Sequence, residues 1–162
     1  MRPLRRTAHP PAAGFTLPEL LGVIVLTSVL AVFAMPSLDG VLGFRDEAWR
    51  GELIAALRNG RQTAVAHRRL VCVTIGTGGV SLRIAATNPA TACTHALVGP
   101  DGQSVYAAGS GTTTTLSPAG TVYFQPSGRA TTDAAGTTTA TWQIGITGQT
   151  AITLLGETGH VE

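Results

Sequence analysis

Between Leu20 and Leu38 the chain carries no charged residue, and Leu, Val, Ile and Ala dominate. A run of that length and polarity can cross most of a bilayer as a helix. One charge stands directly at its start, Glu19. A carboxylate inside hydrocarbon costs about 2.5 kcal/mol or more, so such a residue marks a functional position that needs a partner. Pro18, just before it, fits the first turn of a helix, where its missing N–H is no loss.

Upstream lies a short basic leader with Arg2, Arg5 and Arg6, then His9, Pro10, Pro11, Ala12 and Ala13, leading to Gly14-Phe15-Thr16-Leu17-Pro18-Glu19-Leu20-Leu21. Basic leader, Gly-Phe-Thr-Leu-x-Glu and apolar helix together resemble the type IV prepilin signal of type IV pilins and type II secretion pseudopilins. The resemblance implies cleavage by a prepilin peptidase between Gly14 and Phe15, with N-methylation of Phe15. It also implies an assembly role for Glu19, which would meet the N-terminal amine of a neighbouring subunit. Opposite charges stranded in lipid gain most by meeting, because the alternative is an uncompensated buried charge. Two other readings stay open. An ordinary secretory signal could be cut after Val32-Phe33-Ala34, and a plain membrane anchor has the same apolar run. Both leave Glu19 and Pro18 unexplained.

Pro36 ends the lipid-like run and is expected to bend or loosen the helix. Beyond it, Leu42, Trp49, Leu53, Ala56, Leu57, Gly60 and Ala64 recur at three- and four-residue steps, which lays them along one helical face. Trp49 reads as a core or sheet-packing residue in preference to a partner-facing anchor. Asp46, Glu47, Arg50, Arg58 and Arg61 fall mostly on the other sides. Asp46 and Arg50 form an i,i+4 pair of favourable order. His67-Arg68-Arg69 puts cations at the helix C-terminus, where they offset the negative end of the dipole.

From Leu70 the pattern changes to alternation. Val71 to Ile75 and Val80 to Ile84, around Gly78-Gly79, predict a hairpin. Thr121 to Gln125 predicts a strand, and Pro126-Ser127-Gly128-Arg129 a turn. Thr139 to Ile146 and Ala151 to Leu155 are expected to close the sheet. The Thr/Gly/Ala-rich stretches 107–115 and 129–138 are expected to be surface loops, and Asp101-Gly102 is a turn signal. The helix ending in Arg58…Arg69, the Cys-bearing strand after it and Phe124-x-Pro126-x-Gly128-Arg129 resemble the GspH/FimT branch of minor pilins and pseudopilins.

The two cysteines are Cys72 and Cys93. The export route implied by the resemblance puts them in an oxidising compartment, where a disulfide is the natural state. Two free thiols remain possible, and with only His95 nearby a metal site is disfavoured. No Gly-x-Ser-x-Gly, His-Glu-x-x-His or phosphate-cradling loop occurs, and no Lys is present. An enzyme is not expected, nor any cofactor or metal. All eleven basic residues are Arg; without the three of the leader, eight face nine acids. A near-neutral mature chain argues against a nucleic-acid surface. The C-terminal Gly156-Glu157-Thr158-Gly159-His160-Val161-Glu162 lacks the Arg of the DNA-binding branch of the family.

The expected architecture is α+β: a long N-terminal helix, transmembrane in its first half, packed on a C-terminal antiparallel β-sheet domain of type IV pilin-like form. Residues 1–14 would be the leader, 15–69 the helix with its membrane part at about 15–38, and 70–162 a periplasmic β-rich domain. The resemblance implies an inner-membrane minor pilin or minor pseudopilin that joins or initiates a filament of a type II secretion system or type IV pilus. Its partners would be the prepilin peptidase, other pilins or pseudopilins and the inner membrane. The alternatives are a secreted or anchored β-rich binding module and a pilus subunit aiding DNA uptake.

Overall fold

A computed structural model describes residues 16–34, 37–109 and 111–162, with only the backbone described at 32–34 and 37–43. Two helices, α1 (Leu17–Ala34) and α2 (Ser37–His67), precede ten strands. These are β1 (Val71–Gly76), β2 (Gly79–Ile84), β3 (His95–Leu97), β4 (Ala107–Ala108) and β5 (Thr114–Ser117), then β6 (Val122–Phe124), β7 (Ala130–Thr131), β8 (Thr141–Ile146), β9 (Ile152–Leu155) and β10 (His160–Val161). The chain divides into two units, residues 1–40 and 41–162. The class is α+β with antiparallel sheets, as expected. The helix expected over 15–69 is described as α1 and α2, the second ending at His67, and the Pro36 between them lies outside the described residues.

In the second unit, α2 buries the expected stripe from Trp49 onward, while the side chain of Leu42, expected at its start, lies outside the described residues. Trp49, Leu53, Ala56, Leu57 and Ala64 are all within the core. Gly60 belongs to the same stripe because a Cβ there would stand 3.2 Å from Val73 Cγ2 and 3.4 Å from Phe124 Cδ2. The helix backbone therefore lies close on β1 and β6 at this point.

α2 ends in a Schellman motif. Arg68 N–H donates to Val65 O at 3.3 Å and Arg69 N–H to Ala64 O at 3.1 Å. These are the 5→2 and 6→1 bonds of that cap. Arg68 takes the left-handed conformation, φ 51°, where glycine is usual.

The predicted hairpin forms in register, with Val71 opposite Ile84 and Gly76 opposite Gly79. Val71, Val73, Val80 and Leu82 fill the core from it. The expectation of a single sheet is corrected: the described residues form two. The first runs β3-β2-β1-β6-β7, with β4 also on β2; the second runs β10-β9-β8-β5. Trp142, Ile144, Ile146, Ile152, Leu154 and Val161 of the second join one core cluster with α2 and the first sheet. Alternation told which residues face inward. It carried no information about which strand neighbours which, since any strand with one apolar face satisfies the same pattern.

Two loop expectations are corrected as well. Stretch 107–115 contains β4 and the start of β5, whose Thr114 lies opposite Ile146. Stretch 129–138 contains β7, where Ala130 and Thr131 are fully buried. Thr131 is tolerated there because its hydroxyl donates to Asp133 O at 2.7 Å and takes a bond from Gln125 Nε2 at 2.9 Å. Small residues with polar side chains look loop-like in sequence, but a satisfied hydroxyl can occupy a core position.

Candidate assembly element and its supporting domain

The element with the strongest functional signature is the start of α1. Thr16 O accepts hydrogen bonds from the N–H groups of Glu19 at 3.0 Å and Leu20 at 3.1 Å. Glu19 therefore stands in the first turn of α1, where the positive end of the helix dipole favours a carboxylate. The order Thr16-Leu17-Pro18-Glu19 also has the spacing of a capping box.

Around this charge the helix is apolar on every side. Leu17, Leu20, Leu21, Val23, Ile24, Val25, Leu26, Val29 and Leu30 are all exposed. Its two hydroxyl residues satisfy themselves internally. Thr27 Oγ1 donates to Val23 O at 2.9 Å and Ser28 Oγ to Val25 O at 2.8 Å. Such back-bonding lets polar side chains sit on an apolar helix without unpaired donors.

Among the described residues no helix is long and apolar enough to cross a membrane. The 18 residues of α1 rise about 27 Å, against roughly 30 Å of bilayer hydrocarbon. The expected span, 15–38, includes positions outside the described residues. So do the leader 1–14, the cleavage pair Gly14 and Phe15, and the kink at Pro36.

In the β domain, Cys72 of β1 is disulfide-bonded to Cys93, with Cα atoms 6.0 Å apart. Leu70, Cys72 and Ala85 form a small second cluster, with Ala90, Cys93 and Tyr123 against it. The bond ties the segment before β3 to the start of β1. Arg83 reinforces it, donating from Nε to Cys93 O at 3.1 Å and from Nη2 to Thr94 O at 2.7 Å.

Sequence reasoning missed the role of the α2 arginines. Arg50 Nε donates to Thr150 O at 2.9 Å, Arg58 Nη2 to Val161 O at 3.1 Å and Arg61 Nε to Thr158 O at 3.0 Å. They join the helix to the loops and last strand of the second sheet. The expected Asp46–Arg50 pair does not form; Asp46 Oδ1 accepts instead from Thr112 Oγ1. Trp49 Nε1 likewise reaches across to Thr114 Oγ1 at 3.0 Å, which satisfies the indole of a buried ring. A signal for these contacts existed, since Arg50, Arg58 and Arg61 share one flank of α2. It named no acceptor, because carbonyls are present at every residue.

The C-terminal turn closes against the same flank. A Cβ at Gly159 would stand 2.1 Å from Gly128 O, and one at Gly156 2.1 Å from Ala140 O. Only glycine permits that approach. Glu157 is held beside it: Arg129 Nη2 lies 2.9 Å from Glu157 Oε2, and Thr139 Oγ1 donates to Glu157 Oε1. The Thr139 bond, with Arg129 adding to it, lowers the Glu157 pKa below the ordinary glutamate value. Asp133 is lowered too, chiefly by backbone N–H bonds from Thr137 at 3.0 Å and Thr138 at 2.8 Å. Both carboxylates hold turns. Among the described residues no three His, Cys, Asp or Glu side chains group to hold a metal ion.

No protein-family model matches this chain. No curated protein matches it either. Among solved structures the chain is similar to the crystal structure of the type IV minor pilin FimU of Pseudomonas aeruginosa, at 19% identity and a TM-score of 0.46, over 72% of this chain and 85% of that one.

Proposed function

We propose that the chain is a type IV pilin-like subunit, a minor pilin or minor pseudopilin, that is processed between Gly14 and Phe15 and added through its N-terminal helix to a periplasmic filament. One observation carries this reading. Glu19 is the lone charge of an otherwise apolar helix, placed in its first turn, five residues after Gly14. A helix apolar all round belongs in a protein core or in lipid, and the Leu, Val and Ile side chains of α1 are exposed. The surroundings that fit are hydrocarbon before assembly and other apolar helices after it.

The order of events follows from the charges. The basic leader stays on the cytoplasmic side by the positive-inside rule, which puts the β domain in the periplasm, an oxidising compartment suited to the Cys72–Cys93 bond. Cleavage creates a free amine at Phe15, and the Glu19 carboxylate of a neighbour neutralises it. A subunit in the wrong register leaves both charges unpaired in an apolar medium, a loss large enough to select the register. The partners on this reading are the prepilin peptidase and the other pilins or pseudopilins of a type II secretion system or type IV pilus. Capture of DNA through the C-terminal end is disfavoured, because residues 156–162 carry two acids and no Arg.

The test is the intact mass of the protein from membranes with and without an active prepilin peptidase. The expected result is a chain starting at Phe15 and carrying one methyl group, seen only with the peptidase. A chain starting at Met1 in both samples leaves a membrane-anchored domain and refutes processing. A start near Met35 means ordinary secretion, and the role assigned to Glu19 is then wrong.

A further inference from the structure

The second unit carries opposite charges on the two flanks of α2, each bordering a pocket. On one flank Arg58, Arg61, Gln62, Gly159, His160 and Val161 line a pocket of about 170 Å³. Arg58 and Arg61 spend hydrogen bonds on the carbonyls of Val161, Gly128 and Thr158. These acceptors are neutral, and among the described residues neither Arg58 nor Arg61 is in an ion pair. Among the described residues the one ion pair is Arg129–Glu157. A guanidinium keeps five N–H donors and can still take a carboxylate in bidentate fashion.

On the other flank Glu52 and Asp101 border a pocket of about 320 Å³ that also includes Ala55, Pro100 and Tyr106. Glu52 is exposed and makes no hydrogen bond among the described residues. Asp101 uses Oδ1 to accept from Gln103 N–H at 3.0 Å, which leaves its second oxygen open. Nine residues separate Glu52 from Arg61, about two and a half helical turns, so the two lie on opposite sides of α2.

We propose that the Arg58–Arg61 pocket is the docking site for the Glu52–Asp101 surface of a second copy of this chain. Two different, complementary patches on opposite sides of one subunit make a heterologous contact, which does not close on itself and extends into a helical array. A contact of that kind gives β domains a defined neighbour, while the apolar helices supply most of the adhesion. Its place in a filament rests on the function proposed above; the contact itself rests on the charges. A nucleic-acid backbone fits the basic pocket less well. The acidic flank would have no counterpart in such a complex.

The experiment uses the full chain in excess detergent micelles, followed by sedimentation velocity at low and high salt. Arg58→Glu and Glu52→Arg are examined singly and mixed in equal amounts, with near-ultraviolet circular dichroism reporting the fold. Each variant alone is expected to self-associate at least tenfold more weakly than wild type. The mixture is expected to recover, because each supplies the patch the other lacks and the two altered patches are again complementary. Glu52→Arg loses no hydrogen bond, so the proposal stays testable if Arg58→Glu unfolds. Self-association unaffected by Glu52→Arg or by salt overturns the proposal. So does a mixture as weak as its parts, or an Arg58-dependent affinity for duplex DNA in a chain that stays monomeric. The N-terminal mass of the same samples separates the two ideas. A Phe15 start with no recovery on mixing removes the contact and leaves the filament, whereas a start near Met35 removes the filament whatever the mixture does.

Discussion

Arg68 holds a conformation that costs a side-chain-bearing residue about 1–2 kcal/mol, at the position where a Schellman cap ordinarily places glycine. Its backbone supplies the cap, and no hydrogen bond of its side chain is needed for that. Arg68→Gly is therefore expected to raise stability by about 1 kcal/mol, read from the urea midpoint at constant slope; an unchanged or lower midpoint would show that the side chain contributes more than its φ costs. Asp133 is a different case. Its pKa is lower in the folded chain than in the unfolded one, chiefly through the Thr137 N–H, so the folded state binds fewer protons in the acidic range. The contribution is fully present above the ordinary aspartate value of 3.8 and is lost as pH falls through the lowered folded value. Thermal midpoints from pH 6 to pH 2 are expected to fall less steeply for Asp133→Asn than for wild type. Equal slopes would mean that Asp133 does not contribute to acid sensitivity.

α2 is the element on which the second unit depends, since its stripe enters the core and its flank arginines hold the last strand. Gly60 sets how near it lies to the first sheet. With Val73, Phe124 and Leu82 all within 3.5 Å of a would-be Cβ, Gly60→Val has to displace packed side chains and is expected to cost about 1–3 kcal/mol, despite the loss of a helical glycine. A neutral result in chemical denaturation would show that the helix can lift without penalty. The Cys72–Cys93 bond acts on the unfolded state instead. It spans a sequence separation of 21, and closing such a loop stabilises by about 3 kcal/mol in the chain-entropy account. Changing both cysteines to Ser is expected to lower the unfolding free energy by about that amount while leaving β1 and β2 paired. A fall of less than 1 kcal/mol would place the constraint in Arg83 and the small Leu70–Ala85 cluster instead.

For the molecule as the subunit proposed above, the group to test is Glu19. If its role is to pair with an amine and not to be recognised by the peptidase, Glu19→Ala is processed normally at Gly14 yet fails to enter filaments. Mass spectrometry of the membrane fraction reads the first effect and the subunit content of sheared filaments the second. Normal incorporation of the alanine variant would refute the pairing role. Folding of the β domain is expected to be untouched, because Glu19 and the domain belong to separate units.

Local signals decided a large part of this protein. The apolar run with its single acid, the three- and four-residue spacing of Trp49 to Ala64 and the alternation of Val71 to Ile84 each follow from a period of one element. Those elements are where they were expected, as are β6, β8 and β9. The roles proposed for Gly14, Phe15 and Glu19 rest on sequence, on residue order and on the cost of charge in lipid. Tertiary structure alone decided that the strands form two sheets, that Ala130 and Thr131 are core, that Trp49 meets Thr114 and that the α2 arginines close onto residues 128–161. The Trp49 and arginine contacts join groups 65 or more positions apart, the sheets are set by strand pairings that alternation does not specify, and Ala130 and Thr131 are small residues indistinguishable in sequence from loop. Period constrains which side of an element is buried. Which partner lies on that side is set by chain closure and close packing, and those exist only once the whole domain has formed.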